Sequence, residues 1–353
     1  MKHPVADAHA VATVAGMRYE DRSVRGQVAV LRPTAREVLR QYSIEVASLR
    51  LLDHAFNTTF RVDTTDGQRF ALRLNVTSRR TDAFIGAEMA WLAALSEETD
   101  LWVATPQRTR EGALLAHVDC EALGRRIPAA LFAWLPGRDL GSDATPLQMR
   151  AVGRAAAQLH AHGEHWRPPP GTELPLIDHP MMDSEYVLDR DHPLLSTADH
   201  ALIDEVLAHA QGHFDAAFAG VTRQPLHADL HGWNMRWYQG RLAVFDFDDS
   251  GMGVPVQDLA VCAYHVRDNA AQEEALLEGY QELRPLPAFT ADQFEAMVAT
   301  RNLVLLNDLV TTANAEFIEM LPRYLPNAIT KLRAYLATGV FRHQVPGLIP
   351  PPS

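Results

Sequence analysis

One stretch, residues 226–258, limits what this chain can fold into more than any other. It crowds His227, Asp229, His231 and Asn234 into a short loop, continues through the apolar run 241–245, and returns at once to acidic residues at Asp246, Asp248 and Asp249. Carboxylates at this density repel one another and cost desolvation unless a cation or hydrogen-bond donors compensate them. The simplest compensation is a hard divalent cation with oxygen ligands. Apolar runs on both sides of the loop fit a hairpin, which would bring Asp246 back beside Asn234. An amide oxygen and a carboxylate meeting there suit Mg²⁺, which takes its remaining ligands from water and phosphate oxygens. Asp229, on the same loop but offset, is placed to accept a proton from an attacking hydroxyl, and His227 to brace the loop. Two other readings use the same residues. They can be polar turn residues, or His227, Asp229 and His231 can chelate a transition metal in a metallohydrolase.

Composition narrows the partners. A chain of 353 residues with 47% hydrophobic and 22% charged residues reads as an ordinary globular protein, long enough for two lobes. A formal net charge of -12 speaks against nucleic acid and anionic membranes as partners. No apolar run approaches the roughly 20 residues of a spanning helix. The first residues lack the charge and apolar pattern of a signal peptide. Cys120 and Cys262 stand far apart without metal-ligand spacing, as expected of buried thiols in a reducing compartment. The expected location is the cytoplasm.

The order of patterns gives the fold class. Residues 1–33 carry no clear period and are expected as an N-terminal extension. Thr34 and Glu37 fit a capping box opening a short helix. Strand-like runs come next at 47–52, 58–64 and 69–75, the last two joined by a turn at Asp66-Gly67. In the third run Phe70, Leu72 and Leu74 share one face, and Ala71 and Arg73 share the other. A helix is expected over 81–98, with Glu88 able to face inward, and then two more strands. Leu135-Pro136-Gly137-Arg138 reads as a hinge. Thr145, Pro146 and Gln148 start a helix cleanly, and helices dominate the rest of the chain. The expected organisation is an α+β chain with a sheet-rich lobe at 34–135, a mainly helical lobe at 136–343 and a flexible tail at 344–353. Ligands usually bind in clefts between such lobes.

The run His227-x-Asp229-x-x-x-x-Asn234, then a strand, then Asp246 and Asp258, resembles the catalytic loop of the protein-kinase-like fold. It is most similar to the aminoglycoside phosphotransferase and choline kinase group, with type II homoserine kinases and bacterial stress-response kinases nearby. The resemblance extends from about residue 47 to 309. It implies ATP or GTP and Mg²⁺ as cofactors, Asp229 as the base, Asn234 and Asp246 as metal ligands, and Asp258 as the brace of the loop. In the first lobe it implies that Ala71 lines the nucleotide pocket and that Arg73 stands where a lysine is usual, paired with Glu88. Arginine keeps the charge but is larger and forked. Residues 53–57 replace the glycine-rich phosphate loop, so main-chain groups and Asn57 would cover the nucleotide.

The implied activity is phosphoryl transfer to a hydroxyl of an aminoglycoside-, choline- or homoserine-like acceptor. A Ser/Thr protein kinase of the stress-response type is the alternative within the fold. A nucleotide-binding pseudoenzyme stands as a further class. The bland reading of Arg73 and Glu88 is a surface ion pair.

Overall fold

The computed structural model describes residues 18–55, 57–78, 80–189, 192–310 and 315–350. Phe56, inside the expected phosphate loop, lies outside them. The chain divides into two compact units. One holds the residues up to Asp82 together with Thr105–Trp134; the other holds Ala83–Ala104 and everything from Leu135.

The first unit opens with helix α1 (Val24–Leu39), capped by the Ser23 hydroxyl accepting from Gly26 N at 3.3 Å. This corrects the expected helix start at Thr34. Residues 24–33, expected within an N-terminal extension, belong to this helix, and Pro33 lies inside it. An interior proline costs about 3 kcal/mol. Buried Leu31, Val38 and Leu39 each contribute about 1.5–3 kcal/mol on the same stripe, so burial wins. Thr34 instead turns its hydroxyl to the Cys120 thiol at 3.6 Å.

Strands β1 (Val46–His54), β2 (Thr58–Thr64) and β3 (Arg69–Leu74) come after it. The chain then enters the second unit for helix α2 (Asp82–Glu98) and strand β4 (Trp102–Val103), and returns for β5 (Ala116–Cys120) and β6 (Arg125–Ala133). The five strands of the first unit form one antiparallel sheet in the order β1-β2-β3-β6-β5. Phe70, Leu72 and Leu74 of β3 join Phe60, Val62 and Leu131 in the core beneath α1. Register fixes the other face: Ala71 lies opposite Phe132 and Arg73 opposite Ala130. The alternation read from the sequence is the one the sheet uses.

The second unit continues with β7 (Arg138–Asp139), α3 (Pro146–Gly163), α4 (Thr197–Phe218), β8 (Gln224–Leu226), β9 (Met235–Tyr238), β10 (Arg241–Val244) and β11 (Gly251–Gly253). Helices α5 (Val256–Val266), α6 (Ala270–Gln281), α7 (Ala291–Val310) and α8 (Ala315–Thr338) complete it. The capping box at Thr145 and Gln148 is present. Helices α3 and α6 touch backbone to backbone: a Cβ on Gly153 would lie 2.0 Å from the Leu276 carbonyl, and one on Gly279 2.0 Å from that of Arg150. One small sheet has the order β4-β10-β9-β7; another pairs β8 with β11. Near the C-terminus, expected as a flexible tail, Ile349 exchanges two hydrogen bonds with the Asn327 side chain at 2.7 and 3.0 Å. Among the described residues no helix is long and apolar enough to cross a membrane.

Candidate active site

The site is built at the end of β8. Ala228 adopts a left-handed conformation, with φ of 66°, which is unfavourable for a residue with a Cβ. Asp258, in the first turn of α5 and fully buried, holds it there. Its two oxygens accept from His227 N at 3.1 Å and Ala228 N at 2.7 Å. His160 at the end of α3 adds a third contact to Asp258 through Nε2 at 3.1 Å, and its Nδ1 meets the Tyr280 hydroxyl at 2.9 Å.

His227 is fully buried and turned inward. Its Nε2 faces the Phe245 carbonyl at 3.1 Å, and its Nδ1 accepts from Asp229 N at 3.3 Å. A carbonyl requires a proton on Nε2, and an N–H requires a lone pair on Nδ1, so the ring is the neutral Nε2–H tautomer. Burial, the dominant influence, pushes its pKa below the ordinary histidine value in agreement. With both nitrogens committed to the backbone, His227 has none for a metal. This corrects the metallohydrolase expectation for His227, Asp229 and His231. Among the described residues no group of three or more His, Cys, Asp or Glu side chains gathers as a metal cluster.

Asp229 receives donors on both oxygens. Oδ2 accepts from Asn234 Nδ2 at 2.8 Å and from His231 Nε2 at 3.1 Å, and Oδ1 is ion-paired with Arg301 of α7. Burial alone would raise the Asp229 carboxyl. The Arg301 guanidinium, followed by His231, outweighs it and holds the group well below the usual carboxylate range. Asn234 also donates to the Asp229 carbonyl at 3.0 Å, so its amide nitrogen is spent on Asp229. Its side-chain oxygen is therefore turned the other way.

Strands β9 and β10 pair antiparallel, and Phe245 N donates to Asn234 O at 3.0 Å. The expected hairpin thus returns the chain beside Asn234, and Asp246 comes at once. Asp246 is exposed and has φ of 65°. An amide oxygen and a carboxylate are hard donors, so the pair fits Mg²⁺ by chemistry. Beneath them, fully buried Phe247 meets Trp91 of α2 edge-on, ring centroids 5.4 Å apart.

The remaining positions named from sequence are Arg73, Ala71, Asn57 and Glu88. Arg73 is buried on β3, its guanidinium 5.3 Å from the centroid of the Phe132 ring. Ala71 shares that face of the first unit's sheet. Asn57 sits in the β1–β2 connection, accepting from Asn75 Nδ2 at 3.2 Å. Glu88 is buried on α2 in the second unit, at 3% exposure, so it is not a surface residue.

Arg301 is the residue that sequence reasoning missed. Its side chain is 7% exposed, within a helix whose buried residues are mostly apolar. The one available signal was a cation inside the mainly apolar stretch 296–306. Burial works against its charge, but Asp229 first, then Asp249 and Asp308, more than restore it. Asp308 is pushed up to about 6, chiefly by burial, with Arg301 opposing and Asp229 and Asp183 adding to the rise. A carboxyl whose folded value lies above its ordinary 3.8 adds stability below that value and loses it as pH rises through about 6. Asp308→Asn is therefore expected to raise the melting temperature relative to wild type at pH 8, with the gap closing by pH 4. An equal or lower melting temperature at pH 8 would contradict this.

Fold and site together define a two-unit kinase-like architecture: a small antiparallel sheet with one helix, and a mainly helical unit carrying a His-x-Asp loop and an Asp-bearing hairpin. The model of the phosphotransferase enzyme family matches residues 48–292, and the chain belongs to that family. Its relatives include the amicoumacin kinase of Bacillus subtilis, 25% identical over 65% of this chain and 66% of that one. The homoserine kinase of Azorhizobium caulinodans is 30% identical over 66% of this chain and 70% of that one. Among solved structures, a microcompartment-associated aminopropanol kinase superposes with a TM-score of 0.72 at 23% identity, covering 88% of this chain and 99% of that one. Choline kinase LicA of Streptococcus pneumoniae gives 0.57 at 15%, covering 88% and 99%. The chain is thus a phosphotransferase of the class that acts on hydroxyl groups.

Proposed function

We propose that this protein transfers the γ-phosphate of ATP, with Mg²⁺, to a hydroxyl of a small molecule, with Asp229 as the base. The observation that carries the reading is the Asp229 carboxylate, kept ionised at the loop end and bonded by Asn234, with the hairpin returning the chain beside Asn234 one residue before Asp246. Asn234 and Asp246 would hold the metal, which supplies charge neutralisation on the phosphates. His227 and Asp258 keep the loop in shape. Ala71, Arg73, Asn57 and Glu88 are assigned to the nucleotide. Buried charges such as Arg73 and Glu88 are costly, which favours a working role over chance. GTP is a second candidate donor. The amicoumacin, homoserine and aminopropanol kinases among its relatives and structural neighbours, small-molecule kinases by name, favour an aminoglycoside-, choline- or homoserine-like acceptor over a protein. Two free, buried thiols support a cytoplasmic location.

ADP release measured against a panel of amino alcohols, hydroxy amino acids and aminoglycosides tests the proposal. At least one compound should raise the rate well above water alone and appear phosphorylated. Labelled phosphate entering the protein itself, with no compound responding, would move the assignment to a protein kinase. Asp246→Asn should raise the Mg²⁺ concentration for half-maximal rate by at least about tenfold, the lower bound for losing a mere outer-shell partner. An unchanged Mg²⁺ dependence would remove Asp246 from the metal site.

A further inference from the structure

We infer that Arg301 positions the acceptor hydroxyl, holding its oxygen between the guanidinium Nε–H and Oδ1 of Asp229. The inference rests on Asp229 being the base. A carboxylate oxygen offers two lone pairs. Those of Asp229 Oδ2 are taken by Asn234 Nδ2 at 2.8 Å and His231 Nε2 at 3.1 Å. Oδ1 is bonded by Arg301 Nη2 and keeps one lone pair, so a hydroxyl delivering its proton to Asp229 must come to Oδ1, beside the arginine.

The guanidinium is itself incomplete. Its Nε is buried and has no hydrogen-bond partner among the described residues. Residue 301 is 6% exposed, so the cation is built into the site and does not lie on the surface. Nε–H and the neighbouring Nη2–H leave a guanidinium side by side along one edge, which is why arginine binds two oxygens at once. Here Nη2 donates to Asp229 Oδ1, and Nε–H is the donor next to it on the guanidinium. A hydroxyl there gives its proton to Oδ1 and accepts from Nε–H, and its second lone pair remains for phosphorus. In the transfer its proton passes to Oδ1 and its oxygen bonds the γ-phosphorus. The bond from that phosphorus to the β–γ bridging oxygen breaks, and the electron pair leaves with the nucleoside diphosphate.

Arg301 makes Asp229 a weaker base, which is tolerable because phosphoryl transfer depends mainly on placement and charge stabilisation. The arginine therefore acts on geometry, and its loss should lower turnover without loosening the nucleotide.

The test uses the full chain with ATP and Mg²⁺. ADP release is followed with water as the acceptor and with homoserine, choline and 1-amino-2-propanol, alongside ATP affinity by calorimetry. Arg301→Met should cut ADP release about 100-fold, the loss that a misplacement of about an ångström brings, and leave ATP affinity within about twofold by the same reasoning. Arg301→Lys, a point charge without the fork, should fall between wild type and Met. Methylguanidine should restore part of the activity of Arg301→Ala where equal sodium chloride does not. A merely structural arginine would instead lower the melting temperature of Arg301→Met and leave ADP release per folded molecule unchanged, and that result overturns the inference. Asp229→Asn separates the two levels. If it turns over normally, the base assignment falls. If it is silent while Arg301→Met matches wild type, only the inference about Arg301 falls.

Discussion

An Asp229→Asn enzyme is expected to lose about 10³-fold in turnover, the middle of the range for a positioned proton acceptor. The amide is the same size, but it cannot take the proton and cannot match its surroundings. Asn234 and His231 donate to one oxygen and Arg301 to the other. Whichever way the new amide turns, an NH₂ meets a donor. Arg301 still has Asp249 and Asp308 in its field, so the fold should survive the change. ATP affinity, measured by titration calorimetry, should stay within a few-fold because no group assigned to the nucleotide is touched. Turnover at the wild-type rate would remove Asp229 from the chemistry.

The second large effect is expected at Asp258, and it is one of stability. Asp258→Ala leaves His227 N, Ala228 N and His160 Nε2 without their acceptor in a dry interior. Each buried donor left unsatisfied costs about 1–3 kcal/mol, so a loss of at least about 3 kcal/mol is expected. The left-handed backbone at Ala228 adds about 1 kcal/mol that nothing then offsets. The urea midpoint should fall accordingly, and activity should fall with it because Asp229 is the next residue along. Asp258→Asn, which keeps one acceptor oxygen, should lose less. A midpoint unmoved by Asp258→Ala would show that the loop is held by other contacts.

Local pattern made much of this legible. Two-residue alternation separated the faces of β3, turn and strand spacing gave the β9–β10 hairpin, and caps located α3. What stayed hidden depends on partners far away in the chain. Helix α1 runs through Pro33 because the core under the sheet accepts its stripe, and the sheet lies later in sequence. Arg301 meets Asp229 only after α7 packs, and no period in either segment marks the pairing. His162, which by sequence alone would pass as a solvated histidine, is bonded to Trp91 at 3.2 Å and to Glu98 at 3.2 Å. Helix α2 and strand β4 join the second unit although their neighbours on either side belong to the first.

That excursion of α2 and β4 bears on how the protein comes to be made. Strand β10, which ends at Val244 just ahead of Phe245 and Asp246, is flanked on its outer side by β4, with Ala243 opposite Trp102 and Val244 opposite Val103 in parallel register. The hairpin that delivers Asp246 therefore docks against a segment synthesised long before it, and Phe247 likewise docks against Trp91. Non-local parallel pairing of this kind forms slowly. During translation, α2 and β4 emerge with their partners still unmade, so the site is completed late. A fragment beginning at Leu135 contains every residue of the His227–Asp258 segment and still lacks the edge and the aromatic floor on which it is assembled.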